Sequence, residues 1–391
     1  MITVSEAFSI LQNNLPTLKE ENCSLLEARK KTLSQSIHSP IYMPPFRQSA
    51  MDGYAVGIHD KLTYQIIGEI KAGDAESFVL QPGQAVKIFT GAPVPDTAQA
   101  MIPIEKVTVT QSVLTVQSVP KLEDNIRPIG EQIKKGELAL EKGTELDAAA
   151  IGFLAALGIT TVPVYKKPSV GIVVTGNELL TPGTPLTYGK VYESNGVMLE
   201  AALMDVFFHD VARYAVKDDF ESTKNTLQTA IEKHDVILVS GGISVGDYDF
   251  VAQALQELQV NTLFHKVNQK PGKPLFAGKV NEKMIFALPG NPAACLTCFY
   301  VYVLPTLKRI SGQITQYEAR NSLPLEHHLS VNNSRAQFLK AKITNGKVAI
   351  LSHQASSMLN TFSTANALVY VVDGNYELKE NELVTVYGLK N

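Results

Sequence analysis

The sequence predicts a multidomain α/β protein built around a parallel sheet that binds a ligand. Three observations support this fold class. Strand and helix patterns alternate between residues 168 and 312, a glycine-rich loop follows an apolar strand at 240–249, and separate β-type runs lie on either side of this region. Such alternation is typical of a parallel sheet with helices on both faces.

The alternating region is defined by short apolar runs and amphipathic stretches. We predict strands over 170–174, 211–216, 236–239, 262–264 and 284–288, and helices over 196–208, 222–233, 250–258 and 293–307. Ligands of open α/β sheets bind beyond the carboxyl ends of the strands. The loops that follow these strands are therefore the first place to look for a site.

The loop 240–249 combines glycines, hydroxyls and acids. Gly241 and Gly242 allow backbone N–H groups to face an anion, and Ser240 and Ser244 add hydroxyl donors. Asp249 supplies a carboxylate beside the same loop. This combination suggests a phosphate-bearing ligand with a bridging hard cation, magnesium by preference. The alternative is a tight turn from strand to helix with Asp249 as the helix cap.

Other strand ends carry charged side chains. Glu178 and Asp218 follow the first two predicted strands, and Lys266, Lys270 and Lys273 follow the fourth. Because the carboxyl ends of parallel strands share one edge, we expect these groups to meet. The segment 270–274 is not a phosphate-binding P-loop, since the upstream glycines and the following Ser or Thr are missing. A solvated surface lysine is the alternative for Lys266.

The remaining regions predict a discontinuous arrangement. Helices are predicted from Ser5 to residue 11, over 24–34 and over 147–158, with a proline-rich connector between 39 and 56. Asp52 lies in a turn at the end of this connector. Short β-type runs fill 54–127, and Thr90 lies in a loop between two of them. The predicted domains are 1–50 with 131–167, 51–130, 168–312 and 313–391.

Composition excludes several classes of function. A net charge of −3 and a pI near 6.3 argue against bulk attraction to nucleic acid. Three cysteines are too few for a disulfide framework or a zinc site. The N-terminus lacks the features of a signal peptide, and no apolar run is predicted to be long enough to span a membrane. We therefore expect a soluble cytoplasmic protein.

Taken together, the motifs resemble one known family, the molybdopterin molybdenumtransferases represented by MoeA and the gephyrin E domain. The matching segments span most of the chain in the family's order: 45–55, 90–93, 175–179 with Ser194-Asn195, 240–249, 270–274 and 288–292. The resemblance implies a parallel-sheet molybdopterin-binding domain, a discontinuous elongated α/β domain, a small β insert and a C-terminal β domain.

The resemblance also implies an activity and a set of roles. The family inserts molybdenum from molybdate into adenylylated molybdopterin, with release of AMP, in molybdenum cofactor biosynthesis. By matched position, the implied catalytic residues are Asp249, Asp218, Glu178, Asp52 and Thr90, the first three also holding magnesium. The implied phosphate or molybdopterin contacts are Ser240, Gly241, Gly242, Ser244, Lys266 and Lys270, and the implied molybdate ligands are Lys273, Arg335 and Ser356. The resemblance further implies a homodimer in which Asp52 and Thr90 complete the neighbouring subunit's site.

The chain departs from the family pattern at three places. Ala355 stands where a glycine usually precedes serine, Ala294 stands where serine is common, and Arg47-Gln48 replaces the commoner Asp-Asn. Two other functions remain open at this point. One is a molybdopterin adenylyltransferase, which shares only the α/β domain, and the other is a gephyrin-like scaffold that clusters membrane receptors.

Overall fold

The computed structural model describes residues 1–74, 78–243, 250–319 and 321–389. Within them the chain forms two compact units. The first contains residues 1–21, 30–32 and 164–391, and the second contains residues 22–29 and 33–163. The division into the four domains given above stays a prediction.

The chain begins with helix α1, Val4–Asn13. The Thr3 hydroxyl accepts a hydrogen bond from Glu6 N at 3.2 Å, and Glu6 Oε2 accepts one from Thr3 N at 2.7 Å. This reciprocal capping box makes Thr3 the cap, which corrects the prediction of Ser5. The helix packs into the core of the first unit through side chains at helical spacing, Val4, Ala7, Phe8 and Leu11.

The helix predicted over 24–34 is wrong. Residues 25–30 form turns that follow strand β1, Glu20–Ser24. Leu25 N donates to Thr160 O at 3.2 Å and Ala28 N donates to Ser24 O at 2.9 Å, so the segment forms turns that are tied to a distant part of the chain and does not continue as a helix. The Leu26 side chain is 82% exposed. The apolar spacing that suggested a helix therefore has no continuous buried face.

The second unit is rich in short strands, as predicted. Six of its strands form one sheet in the order β7-β4-β6-β5-β9-β8, and the others pair as β10-β3 and β11-β2. In chain order these strands are β2 (Ile37–His38), β3 (Gln48–Ser49), β4 (Gly53–Val56), β5 (Thr63–Ile70), β6 (Gln84–Ile88), β7 (Ala100–Pro103), β8 (Val107–Thr110), β9 (Val113–Val116), β10 (Ile126–Arg127) and β11 (Leu138–Leu140). A 3₁₀ turn, Ile104–Lys106, separates β7 from β8.

Helix α2, Ala148–Ala156, is the last helix of the second unit in the part of the chain that the structure describes. Its cap is Asp147, whose Oδ1 accepts a hydrogen bond from Ala150 N at 2.8 Å. The chain leaves the helix at Gly158, where φ is +77°, a conformation that favours glycine. Both ends agree with the prediction for 147–158. Strand β12, Thr161–Tyr165, follows.

The first unit contains the predicted α/β region. Its elements in chain order are β13 (Val170–Thr175), β14 (Leu179–Leu180), β15 (Val191–Tyr192), α3 (Asn195–Asp205), β16 (Val211–Val216), α4 (Phe220–Lys233), β17 (Val236–Ser240), α5 (Phe250–Glu257), β18 (Asn261–His265), β19 (Gln269–Lys270), β20 (Phe276–Val280) and β21 (Lys283–Leu288). Every residue of β13 and β17 is buried, as expected of central strands covered on both faces.

The main sheet is mixed, which corrects the expectation of a purely parallel one. Its order is β16-β13-β17-β21-β20-β18, and the first four strands are parallel. Strand β20, absent from the prediction, is antiparallel to both of its neighbours. Strand β18 consequently runs in the same direction as β21. The loops that follow β13, β16, β17, β18 and β21 therefore share one edge, as predicted.

A long apolar helix follows the sheet. It consists of α6 (Pro292–Cys298), a π-helical turn (Phe299–Val303) and α7 (Leu304–Ile310). By length and composition it could cross a membrane, contrary to the prediction that no apolar run is long enough. However, 78% of its most apolar window is buried inside the protein. This burial identifies it as a core helix.

The C-terminal region forms a second β layer of the first unit. Its elements are β22 (Asn321–Pro324), β23 (Leu329–Asn333), β24 (Ala336–Thr344), β25 (Lys347–Ile350), α8 (Asn360–Thr364), β26 (Ala367–Val371), β27 (Gly374–Leu378) and β28 (Leu383–Gly388). The larger sheet has the order β19-β24-β26-β28-β22. Strand β19, which carries Lys270, is thus an edge strand of this C-terminal sheet.

Candidate active site

Two adjoining cavities lie at the carboxyl ends of the central strands. One has a volume of about 370 Å³ and the other of about 490 Å³. Both are lined by Thr175 at the end of β13, Glu178 in the loop that follows it, Gly241 after β17, and Gly290 and Asn291 after β21. This is the position where open α/β sheets bind ligands.

The glycines after β17 are required by their surroundings. Gly241 and Gly242 have φ values of +95° and +62°. A Cβ at Gly241 would lie 2.6 Å from Thr175 O, and a Cβ at Gly242 would lie 2.7 Å from Val251 Cγ2. Side chains are therefore excluded at both positions, and the backbone itself forms the cavity wall. The predicted residues Ser244 and Asp249 lie outside the described residues.

Two predicted acids share the larger cavity. Glu178 and Asp218 both line it. Asp218 Oδ2 accepts a hydrogen bond from Asn177 N at 3.0 Å, and Asn177 Oδ1 accepts one from Asp218 N at 3.2 Å. Asn177, which the prediction omitted, therefore connects the loop after β13 to the loop after β16. Within the described ranges, no cluster of three or more His, Cys, Asp or Glu forms a metal site by itself.

Ser240 lies at the base of the smaller cavity and is almost fully buried. Its hydroxyl accepts a hydrogen bond from Asn195 Nδ2 at 2.8 Å, and the same amide donates to Gly290 O at 2.7 Å. Asn195 thus joins the loops that follow β17 and β21. The nearby Cys295 thiol is fully buried, and this burial raises its pKa to about 12. Cys295 is therefore a packing residue, as predicted, and remains a neutral thiol.

Two residues that line the smaller cavity each carry a buried polar atom that lacks a hydrogen-bond partner among the described residues. These atoms are Thr175 Oγ1 and Asn195 Oδ1. Only 5% of Thr175 and 9% of Asn195 is exposed. Unpaired buried polar atoms are unfavourable in a folded protein unless a ligand or water satisfies them. Both residues belong to motifs seen in the sequence, but no role was predicted for either.

Residues 266–274 carry Lys266, Lys270 and Lys273 and are called the lysine segment below. The segment reaches the larger cavity through Pro274, which lines this cavity together with Glu178 and Asp218. The backbone of the segment folds back on itself, because Lys273 O accepts hydrogen bonds from Val267 N and Leu275 N, both at 3.0 Å. Pro274 therefore lies at the same edge of the sheet as the two acids, and the approach of the Lys266, Lys270 and Lys273 side chains to these acids stays a prediction. Lys266 precedes this turn and has a positive φ of +83°.

A buried glutamine supports the lysine segment. Gln269 is fully buried, and its Nε2 donates to Pro271 O at 3.1 Å and to Gly272 O at 3.3 Å. Its Oε1 accepts a hydrogen bond from the Tyr302 hydroxyl in the π-helical turn. Gly272 has a φ of +85°, and a Cβ there would lie 2.5 Å from Cys298 Sγ. The sequence prediction missed Gln269 because it treated the segment as an irregular surface loop.

Two predicted molybdate ligands approach this region from the C-terminal sheet. Arg335 Nη1 lies 3.5 Å from Gln269 O, and β24 pairs with β19 directly after Arg335. The Ser356 hydroxyl accepts a hydrogen bond from Asn291 Nδ2 at 3.0 Å, and Ser356 O accepts one from Ala293 N at 3.0 Å. Ser356 therefore contacts a residue that lines both cavities.

Asp52 and Thr90 lie together in the second unit. Asp52 Oδ1 accepts hydrogen bonds from Thr90 N and Thr90 Oγ1, both at 2.7 Å. These two bonds, the backbone one first, lower the pKa of Asp52. The departure at Arg47 has a structural role in the same unit, since its guanidinium donates to Pro95 O and Ala98 O at 3.1 and 3.0 Å. Arg47 thus anchors the segment that follows Thr90.

Comparison with known families covers nearly the whole chain. The profile "MoeA N-terminal region (domain I and II)" matches residues 2–158, "Probable molybdopterin binding domain" matches 171–309, and "MoeA C-terminal region (domain IV)" matches 322–389. The α/β sheet with its cavities therefore lies within a molybdopterin-binding domain, in a protein of MoeA type.

Individual relatives agree with this class. The molybdopterin molybdenumtransferase of Staphylococcus epidermidis is 30% identical over 98% of this chain and 95% of its own length. That of Haemophilus influenzae is 36% identical over 80% of this chain and 78% of its own. The crystal structure of the molybdopterin biosynthesis MoeA protein of Pyrococcus horikoshii matches with a TM-score of 0.84 and 29% identity, covering both chains completely. The chain belongs to the molybdopterin molybdenumtransferase family.

Proposed function

We propose that this protein inserts molybdenum from molybdate into adenylylated molybdopterin, with release of AMP, as a step of molybdenum cofactor biosynthesis. Family membership supports an enzyme that transfers molybdenum. The observation that carries the proposal for this chain is the larger cavity, which is lined by Glu178 and Asp218 together with Pro274, the neighbour of Lys273 in the chain. A site for a diphosphate and an oxyanion needs such a mixture of acids and cations.

The phosphate part of the reaction breaks the anhydride bond to AMP. Water attacks the phosphorus of the molybdopterin phosphate, a new P–O bond forms as the bond from this phosphorus to the bridging oxygen breaks, a proton of the water passes to solvent, and AMP departs with the bridging oxygen and its negative charge. Lys266 and Lys270, with the backbone at Gly241 and Gly242, would bind this charge. Neutralising charge at fixed positions is the largest catalytic contribution of such sites.

Magnesium fits the acids of this cavity. Glu178 and Asp218 offer the hard oxygen ligands that magnesium prefers, and Asp249 is the third proposed ligand. When bound, the ion neutralises phosphate oxygens. The chain's own contribution is to fix the loop that carries Asp218 against the loop that carries Glu178, through the two hydrogen bonds between Asn177 and Asp218.

The molybdate part would use Lys273, Arg335 and Ser356. Two cations and a hydroxyl are suited to an oxyanion. With alanine at 294 and 355, Ser356 is still anchored through its main chain, because Ser356 O accepts hydrogen bonds from the backbone N of Ala293 and Ala294, at 3.0 and 3.3 Å.

The smaller cavity would hold the pterin. Asn195 Oδ1 can only accept hydrogen bonds, and it has no partner among the described residues. It therefore suits an N–H group of a pterin ring. Thr175 Oγ1 can donate or accept beside it.

We further propose a cytoplasmic homodimer in which Asp52 and Thr90 of one subunit complete the site of the other. The Asp52 pKa, lowered by Thr90, supports an ionised carboxylate available for such a role. Light scattering at the mass of a monomer would remove the shared-site proposal. The adenylyltransferase alternative is disfavoured by the N-terminal and C-terminal matches, and a scaffold role is disfavoured by relatives named as molybdopterin molybdenumtransferases that match this chain over nearly its whole length.

The test is a reconstituted reaction. The protein is incubated with adenylylated molybdopterin, magnesium and molybdate, while AMP release and molybdenum loading are measured. We expect both, and we expect the double substitution Glu178→Gln with Asp218→Asn to slow AMP release by about 10²-fold or more. AMP formation that requires neither molybdate nor magnesium would contradict the proposal.

A further inference from the structure

A buried lysine holds the segment that carries Ser356. Lys340 lies in the middle of β24, and only 3% of it is exposed. Its Nζ donates to three main-chain carbonyl oxygens of one irregular segment: His353 O at 2.8 Å, Met358 O at 3.0 Å and Ala355 O at 3.3 Å. An ammonium group has three donors, so these contacts use all of them.

The Gln354 side chain also holds this segment, through hydrogen bonds to the backbone of Lys340. Gln354 Oε1 accepts a hydrogen bond from Lys340 N at 2.9 Å. Gln354 Nε2 donates to Lys340 O at 2.9 Å and to Leu351 O at 2.7 Å. The segment 351–358 has neither helix nor strand. Its shape therefore depends strongly on Lys340 and Gln354.

Burying this ammonium carries an energetic cost. Burial lowers the pKa of Lys340, and it is the only cause identified among the described residues. An apolar side chain such as methionine would avoid this cost, but it would leave the carbonyl oxygens of 353, 355 and 358 without their shared donor. A buried lysine therefore suggests a requirement for a particular backbone shape beside it.

The segment leads directly to the candidate site. Ser356 lies between two of the carbonyl groups that Lys340 binds. Its hydroxyl accepts from Asn291 Nδ2, and Asn291 lines both cavities. A shift of the segment would move this hydroxyl away from the cavity rim.

We infer that Lys340 is a positioning residue for oxyanion binding: by holding the carbonyls of 353, 355 and 358, it fixes the Ser356 hydroxyl at the rim of the cavity. This inference rests on the proposed function for the role of Ser356 as an oxyanion ligand and for the identity of the oxyanion, molybdate. Lys340 itself does not touch the substrate.

The test compares Lys340→Met with the control Lys342→Met, which changes an exposed lysine of the same strand. Molybdate binding is measured by equilibrium dialysis with molybdate alone, and the molybdate and nucleotide KM values are measured by AMP release. We expect Lys340→Met to weaken molybdate binding and raise its KM by about tenfold or more, the effect of losing one hydrogen bond to a charged ligand. The KM for adenylylated molybdopterin and the kcat at saturating molybdate should change less than about twofold, and Lys342→Met should change nothing.

The outcomes separate this inference from the proposed function. A lower melting temperature with unchanged molybdate binding would show a merely structural role and overturn the inference. If Lys340→Met does not fold, Gln354→Met loosens the same segment, and unchanged molybdate binding there would also overturn it. If the unaltered protein binds molybdate but releases no AMP, the proposed function fails while dialysis still decides the role of Lys340.

Discussion

The substitution Gln269→Glu tests whether the buried amide holds the lysine segment. It keeps the size of the side chain and the acceptor for Tyr302, but an ionised carboxylate cannot donate to Pro271 O or Gly272 O. The bond to Pro271 O is partly buried and the bond to Gly272 O is buried. Leaving these acceptors unpaired costs about 1 and about 2 kcal/mol, or about 3 kcal/mol together.

The effect should depend on pH. Burial raises the pKa of an introduced carboxyl above its value of about 4.3 in the unfolded chain. The protonated form can donate one hydrogen bond, so stability is retained below that unfolded value and is lost as pH rises through the raised pKa. We therefore expect a larger loss at pH 8 than at pH 5. At about 2–4 °C per kcal/mol for a unit of this size, the melting temperature should fall by about 6–12 °C at pH 8.

The assay is differential scanning calorimetry at both pH values, with AMP release measured at a temperature where the variant is folded. We expect AMP release to fall because Lys270 and Lys273 lose their fixed positions. The control is Tyr302→Phe, which removes only the bond to Oε1 and should leave AMP release nearly normal. A Gln269→Glu protein with unaltered melting temperature at pH 8 and normal AMP release would refute the reasoning.

Three further predictions concern single residues. Asp249→Asn should abolish AMP release while the circular dichroism spectrum stays unchanged, and near-normal turnover would remove Asp249 from the site. Lys273→Ala should raise the molybdate concentration needed for half-saturation by about tenfold, as expected for a lost charged contact; an unchanged value would reject its role. Thr90→Val should raise the pKa of Asp52 toward its ordinary value, because the hydroxyl bond is lost. Carboxyl NMR titration measures this pKa, and an unmoved value would show that the backbone bond suffices.

The α/β region could be predicted from the sequence because its signals are local. The apolar runs that became β13 and β17 are continuous and fully buried, so periodicity and length were sufficient. The position of Glu178 and Asp218 at one cavity followed from strand direction alone. The sequence also predicted that Gly241 and Gly242 shape the backbone of this loop. Both have a positive φ, and a Cβ at either position would lie too close to a neighbouring atom.

Other features could not be predicted because they depend on tertiary pairing. The stretch 24–34 has helical apolar spacing, but Leu25 N bonds to Thr160 O, 135 positions away in the same unit, and Leu26 is exposed. Strand β20 is a separate case: it was missed because Gly278 and Lys279 interrupt its short apolar run, although a short hairpin joins it to β21. Gln269 and Lys340 are polar residues that the sequence alone places on a surface, and only their buried partners show their roles.

The cation side of the site depends on a contact between two sheets. Strand β19 carries Lys270 and belongs to the C-terminal sheet, while the acids follow strands of the α/β sheet. Backbone pairing of β19 with β24 is nearly independent of side-chain identity, so the lysine motif could not reveal its partner. The same strand β24 begins after Arg335 and carries Lys340 five positions on, and it therefore orients both the arginine and the Ser356 segment. Because β24 orients both Arg335 and the Ser356 segment, we expect the effects of substitutions at Gln269 and Lys340 on the free energy of molybdate binding to be non-additive. Additive effects would show that Arg335 and the Ser356 segment are positioned separately.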